Sequence, residues 1–145
     1  MRVLVQRCDR ACVKVDGKIV GQIGMGVMIL VGITHDDDSK KIDYLVDKLI
    51  NLRIFDDENG VMNKSLLDVS GSILSISQFT LYADTKKGRR PSYVDAMSGD
   101  KAKALYDEFN EKLRNTGVKV ETGIFGADMK VDFINDGPIT IMLEK

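Results

Sequence analysis

The first third of the chain alternates apolar with polar positions, the period of half-buried strands. Residues 2–8 (Arg-Val-Leu-Val-Gln-Arg-Cys) and 11–15 (Ala-Cys-Val-Lys-Val) read as two short strands. Asp16-Gly17 is a hairpin turn signal, and a further strand follows over residues 18–23. After Gly24-Met25-Gly26 the run from Val27 to Ile33 is apolar on both faces, which predicts a central, buried strand. The period then changes. Ile42, Leu45, Val46, Leu49 and Ile50 recur at helical spacing. This helix is expected to open within residues 36–39 and run to Leu52 or Arg53, with acidic residues at the positive end of its dipole. Residues 72–77 form another strand, which ends abruptly in the polar cluster Ser77-Gln78-Phe79-Thr80. A second helix carries Ala102, Leu105, Tyr106, Phe109 and Leu113 on one face and stops at Gly117. Residues 118–121, a Thr122-Gly123 turn, and strands at about 129–134 and 139–143 complete the chain. With no repeat, low-complexity tract or linker, residues 1–145 form a single domain. The expected fold is α+β: a largely antiparallel, barrel-like sheet with two main helices packed against it.

Composition narrows the function classes. The net charge is −1, so no global basic field draws the chain to nucleic acid, and any such contact must be local. The one dense basic run is Lys86-Lys87-Gly88-Arg89-Arg90, within a long loop at 83–98. Loops of that length in compact domains are usually functional or mobile. The acidic run Asp56-Asp57-Glu58-Asn59-Gly60 lacks the ligand alternation and closing Glu of a calcium loop and reads as a solvated turn. Cys8 and Cys12 are the only cysteines, and four-residue spacing along a strand separates them by roughly 13 Å, too far to bridge. With a single histidine, His35, a zinc site is not expected, nor is any other metal or cofactor. The longest apolar run is too short to span a bilayer, and no signal-peptide pattern opens the chain, so a cytoplasmic, non-membrane protein is expected.

The familiar catalytic signatures are absent. There is no phosphate loop, dinucleotide fingerprint or nucleophile elbow, and Gly24-Met25-Gly26 is a hairpin fragment. His35 sits beside an Asp-rich helix start and reads as solvated or capping, which removes the most common general base. What remains is Ser77, Gln78 and Thr80 at a strand end, together with Gly137-Pro138 inside the last strand pair. The first cluster either binds a polar ligand and faces an oxyanion with its N–H groups, or satisfies its own turn. Pro cannot donate to a sheet ladder, so Pro138 marks a turn, an edge or a bulge.

Ser77-Gln78-Phe79-Thr80 and Asn135-Asp136-Gly137-Pro138-Ile139-Thr140 resemble the two motifs of the D-aminoacyl-tRNA deacylases of the bacterial and eukaryotic type. The likeness spans the whole chain, including the opening Val-Gln-Arg strand, Arg53-Ile54-Phe55, Arg90-Pro91-Ser92 and the segment from Gly123 to Met129. It implies a homodimer that hydrolyses the ester joining a D-amino acid, or glycine mischarged on tRNA-Ala, to the 3′ end of tRNA. It implies that Gln78, Phe79 and Thr80 line the catalytic pocket with Ser77 in support. By the same resemblance Gly137-Pro138 would be joined by a cis peptide, enter the partner's pocket and exclude L side chains, with Asn135 and Thr140 bracing the turn. The resemblance further implies that the tRNA's terminal 2′-hydroxyl assists catalysis. Phe125 and Met129 pack on the terminal adenosine or are plain core. Arg7 belongs to the substrate-binding set by holding the cross-subunit turn, or makes a surface ion pair. On this reading the basic run Lys86 to Arg90 is expected to touch tRNA phosphates. Two rival readings use the same pocket: a non-catalytic module for aminoacyl-tRNA ends, and a general small-ester hydrolase.

Overall fold

Strand β1 (Arg2–Val15) is the spine of the sheet, and three other strands pair with it. The computed structural model describes residues 1–145. The two short strands expected at the N-terminus are therefore one. Asp9 and Arg10 are both exposed and break the alternation, yet the backbone stays extended through them. On one edge β1 exchanges partners there, pairing with β3 (Gly26–Gly32) as far as Cys8 and with β2 (Lys18–Ile23) from Ala11 onward. A long strand can thus serve two neighbours by bending at a polar pair.

The sheet is mixed. All three pairings of β1 are antiparallel, but β3 runs parallel to β6 (Ser72–Ser77), and β6 parallel to β7 (Val120–Thr122). Parallel neighbours need long crossovers, and these are supplied by the two helices. Helix α1 (Ser39–Ile50) and the small β4–β5 hairpin (Phe55–Asp56, Met62–Lys64) lie between β3 and β6; α2 (Gly99–Asn115) lies between β6 and β7. The order β2-β1-β3-β6-β7 curls until its ends meet. A Cβ added to Gly21 of β2 would lie 2.7 Å from the Thr122 carbonyl oxygen of β7, so only glycine permits the near-closure. The α+β, barrel-like architecture with two helices is the one expected, and the parallel pairs refine it.

Both helices bury the faces their spacing predicted. Ile42, Leu45, Val46, Leu49 and Ile50 of α1, and Ala102, Tyr106, Phe109 and Leu113 of α2, are buried, while Leu105 on the same face is half-buried. They pack on Val3, Val5, Ile29, Val31 and Ile73 from one face of the sheet. Asp38 caps α1 by accepting the Lys41 N–H at 3.0 Å. A second cluster fills the curl itself: Cys8, Ala11, Val13, Ile23, Met28, Leu74 and Ile76. The acidic segment is a hairpin turn, in which the Asp57 carboxylate accepts the N–H groups of Asn59 and Val61 at 2.9 and 3.1 Å. Those donors, Val61 first, hold its carboxyl below the usual range. No helix is long and apolar enough to cross a membrane.

The two final strands expected at 129–134 and 139–143 are one strand, β8 (Lys130–Glu144), paired to β1 at both ends. Between the pairs Cys8–Asn135 and Gln6–Thr140, β1 advances two residues (8 to 6) while β8 advances five (135 to 140). The three surplus residues bulge out of the ladder, so Pro138 is never asked for the N–H it lacks.

Cys8, opposite that bulge, gives a pH prediction. Burial pushes its thiol from an ordinary 9.0 up to about 11, with the carboxylates of Asp9 and Asp136 adding to the rise. The folded state holds this proton after the unfolded chain has released it, so the contribution is intact below pH 9 and is lost as pH climbs towards about 11. Denaturant titrations across that window should show native stability falling relative to Cys8→Ala by on the order of 2 kcal/mol. Parallel pH profiles for the two proteins would contradict this.

Candidate active site

The site begins where β6 runs out. Gln78 extends the parallel ladder by one more bond, its N–H reaching the Val31 carbonyl at 2.7 Å. The chain then tightens into a 3₁₀ turn at Phe79–Tyr82. Gly32 of β3 makes room for that turn: a Cβ there would lie 3.0 Å from Leu81 Cβ and 3.2 Å from the Gln78 carbonyl oxygen. The first internal bond of the turn is Leu81 N–H to the Gln78 carbonyl at 3.4 Å. The N–H groups of Phe79 and Thr80 precede that bond and have no acceptor within the turn.

Beside the turn lies a cavity of about 470 Å³. Its floor is Val31, Ile33 and Ile76, and one wall is Ser77, Gln78 and Phe79. The segment from Phe125 to Met129 also lines it, as does the start of α2 with Ser98, Gly99 and Ala102. Phe125 is held there by Tyr106, whose ring centroid is 5.8 Å away. Tyr106 is in turn fixed by donating its hydroxyl to the Ser75 carbonyl at 2.8 Å. The cavity is mostly apolar, with Ser77, Gln78, Ser98 and Asp128 as its polar side chains, the usual composition of a small-molecule site.

The residues singled out in the sequence fall into two groups. Ser77, Gln78, Phe79, Phe125 and Met129 come together around the cavity. Thr80 stands one step back, its Oγ1 accepting from Gln78 Nε2 at 2.5 Å. Phe79 is 53% exposed at the lip and meets the ring of Tyr93 edge-on, with centroids 5.0 Å apart. No group of three or more His, Cys, Asp or Glu side chains is arranged to hold a metal ion. His35 is exposed, with Nε2 2.9 Å from the Val94 carbonyl oxygen, and does not reach the cavity.

The second group surrounds the β8 bulge, and none of its members lines the cavity. Gly137 and Pro138 are exposed, their peptide bond is cis, and Gly137 has φ +116°. The bulge is tied at its base. Asn135 Nδ2 donates to Thr140 Oγ1 at 3.1 Å, and Asn135 Oδ1 accepts the Ile139 N–H at 3.2 Å. Gln6, opposite Thr140, donates to the same hydroxyl at 3.4 Å. Arg7 is only 7% exposed and lies beneath the bulge. Its Nη1 donates to the Ile54 carbonyl at 2.8 Å and lies 3.4 Å from Asp56 Oδ1. Its Nε is 2.8 Å from Asp136 Oδ2, but the N–H is misaligned, so that contact is an ion pair and not a directed hydrogen bond. Gln6 and Asp136 are members of this cluster that sequence reasoning missed. Asp136 gave a signal only by standing inside the motif, and Gln6 only by its register with Thr140.

Comparison with known proteins places this geometry. A family model described as D-Tyr-tRNA(Tyr) deacylase matches residues 4–144. The chain is 58% identical over 144 residues to a D-aminoacyl-tRNA deacylase of Bacillus cereus, covering 99% of both chains. It is equally similar, with the same coverage, to a D-aminoacyl-tRNA deacylase of Bacillus thuringiensis. Among solved structures it superposes on a c-Myc DNA unwinding element binding protein with a TM-score of 0.94, at 42% identity over 100% of this chain and 99% of that one. A probable eukaryotic D-amino acid tRNA deacylase shares the fold at a TM-score of 0.85 and 24% identity, with 98% and 97% of the two chains covered. The chain therefore belongs to the D-aminoacyl-tRNA deacylase family, hydrolases that act on the ester of D-aminoacyl-tRNA.

Proposed function

We propose that the cavity holds the aminoacylated 3′ end of tRNA and that the Gly137-Pro138 bulge of a second subunit closes it, in a homodimer working in the cytoplasm. The observation that carries this reading is the bulge: rigidly tied at its base, exposed at its tip, and absent from the cavity of its own chain. Backbone presented by the partner would hold the α-amino group of the substrate and leave no room for an L side chain. Rigid backbone tests only the configuration at Cα, so D residues of any size pass, and so does glycine, including glycine mischarged on tRNA-Ala.

The chemistry asks little of the side chains. An aminoacyl ester is already activated, so positioning and charge stabilisation are sufficient. Water adds to the carbonyl carbon, N–H groups at the Phe79–Thr80 turn face the developing oxyanion, and the ribose oxygen leaves as the ester bond breaks. The terminal 2′-hydroxyl of the tRNA shuttles the proton. Phe125 and Met129 flank the terminal adenosine, and Ser77 supports the wall that Gln78 and Phe79 present. Thr80 fixes the Gln78 carboxamide and does not act as nucleophile, which its absence from the cavity lining supports.

Release of free amino acid from D- and L-aminoacyl-tRNA under single turnover is the direct test. The D ester and the glycyl ester should be cleaved and the L ester spared, while simple esters without tRNA should survive. Equal hydrolysis of both enantiomers would remove the role given to Gly137 and Pro138. Thr80→Ala should retain measurable activity, lowered about tenfold by loss of one positioning hydrogen bond. Near-total loss would restore a side-chain nucleophile.

A further inference from the structure

The loop that follows the 3₁₀ turn carries the one dense basic run of the chain, and none of that run lines the cavity. Lys86, Lys87, Arg89 and Arg90 are all exposed within five residues of one another. Exposed lysines such as Lys14, Lys18, Lys40 and Lys48 also lack a carboxylate partner but are spread along the chain, whereas Lys41, Lys64, Lys103, Lys112 and Lys130 each pair with one. None of the four loop cations does. The nearest acid in sequence, Asp84, is otherwise engaged, accepting the Lys86 backbone N–H at 2.9 Å. Crowded, unpaired like charges repel one another and contribute nothing to this fold. Their mutual repulsion is relieved when a polyanion lies against them.

The root of the loop fixes where that polyanion would lie. Asp84 and Ser92 exchange both backbone hydrogen bonds, at 2.8 and 2.9 Å, and so pinch the loop shut. The next residue, Tyr93, is 40% exposed and packs edge-on against Phe79, which itself lines the cavity. The root of the loop therefore stands beside the cavity lip. Exposed aromatic rings beside unpaired cations are the combination by which single-stranded nucleic acid is held. A strand end seated in the cavity would pass over Phe79 and Tyr93 and bring its next phosphates to the loop.

We propose that residues 85–91 are the RNA-backbone docking element of this enzyme. In this division of labour, the loop takes the phosphates behind the terminal nucleotide, and the cavity alone judges the amino acid. The inference rests on the deacylase reading of the cavity, but it is tested independently of catalysis. Contacts to phosphate carry no sequence information, so this docking serves tRNAs of any identity equally.

The test is binding of uncharged tRNA, followed by fluorescence anisotropy between about 50 and about 200 mM KCl. The variants are the native protein, the quadruple variant Lys86→Ala/Lys87→Ala/Arg89→Ala/Arg90→Ala, and a charge-matched control with Lys14, Lys18, Lys40 and Lys48 changed to Ala. The quadruple variant should bind at least ~10-fold more weakly at low salt, and its log Kd against log salt slope should flatten by about three, at 0.7–0.9 per phosphate contact. The control should keep the native slope. Its cleavage of a D-aminoacyl-adenosine ester, which has no phosphate, should match the native rate, as should that of the quadruple variant. An unchanged affinity and slope for the quadruple variant would overturn the docking role. So would an equal loss in the control, or loop-dependent binding to anionic phospholipid vesicles with none to tRNA. Failure of the native protein to cleave either ester would instead strike the deacylase reading, and the binding data would still decide the loop.

Discussion

Gly137→Ala should collapse chiral discrimination while leaving the fold in place. The native φ of +116° is one that L side chains rarely adopt, and a Cβ there would lie 2.8 Å from Ile139 Cγ1 and 3.1 Å from the Ile139 nitrogen. Holding alanine in that conformation costs about 1–3 kcal/mol. The tip is exposed and only its base is tied, so the bulge relieves the strain by moving. A gate that works by shape fails when displaced. The ratio of kcat/KM for D- over L-aminoacyl-tRNA should fall by roughly 10- to 100-fold, the same energy expressed as a rate. Cleavage of the D ester should itself decline, because the displaced backbone no longer meets the α-amino group. The unfolding midpoint should stay close to native. A preserved ratio would mean that the bulge does not read chirality.

The largest stability loss should come from Phe109→Ala. Phe109 is fully buried and packs α2 against the sheet. Truncating a buried phenylalanine costs about 3–5 kcal/mol, a large share of a typical domain's stability. Chemical denaturation should show that loss directly. Activity measured well below the transition should survive, since Phe109 does not line the cavity. A loss under ~1 kcal/mol would mean that α2 is held by other contacts, chiefly the Tyr106 hydroxyl on Ser75.

Much of this fold could be read from periodicity, and what could not has specific causes. The helices and β6 were legible because their apolar residues repeat cleanly. The hairpin turn at Asp16-Gly17 was legible from turn chemistry alone. The continuity of β1 was not, because an exposed Asp9-Arg10 pair looks like a turn when the partner exchange that it serves is unseen. Strand direction was hidden as well: β6 and β7 carry the same residue pattern whether they run parallel or antiparallel to their neighbours. The β4–β5 hairpin is too short and polar to leave a period.

The site was legible in its parts and not in its arrangement. The two motifs named Ser77 to Thr80 and Asn135 to Thr140, but only the structure shows that Thr80 stays out of the cavity lining while bonded to Gln78 and that Arg7 is buried beneath the bulge. Phe125 and Met129 read equally as core or pocket, and they are partly both: each lines the cavity while packing on a buried cluster. Arg7 shows the same ambiguity between surface and site. Its charge suggested exposure, yet a guanidinium with a carbonyl and two carboxylates to meet can be buried.

The central claim is that the bulge of one subunit completes the cavity of the other, and mixed dimers test it most directly. One chain carries Gln78→Ala and Phe79→Ala in the cavity wall, its partner carries Gly137→Ala, and the two are co-purified through different tags. In a two-fold dimer the exchange is reciprocal, so one intact cavity receives one intact bulge. The account predicts that the mixed dimer regains about half of the native D-specific rate with rejection of the L ester restored, although neither parent dimer has both. A mixed dimer no better than the average of its parents would contradict it, and would return the bulge to its own chain.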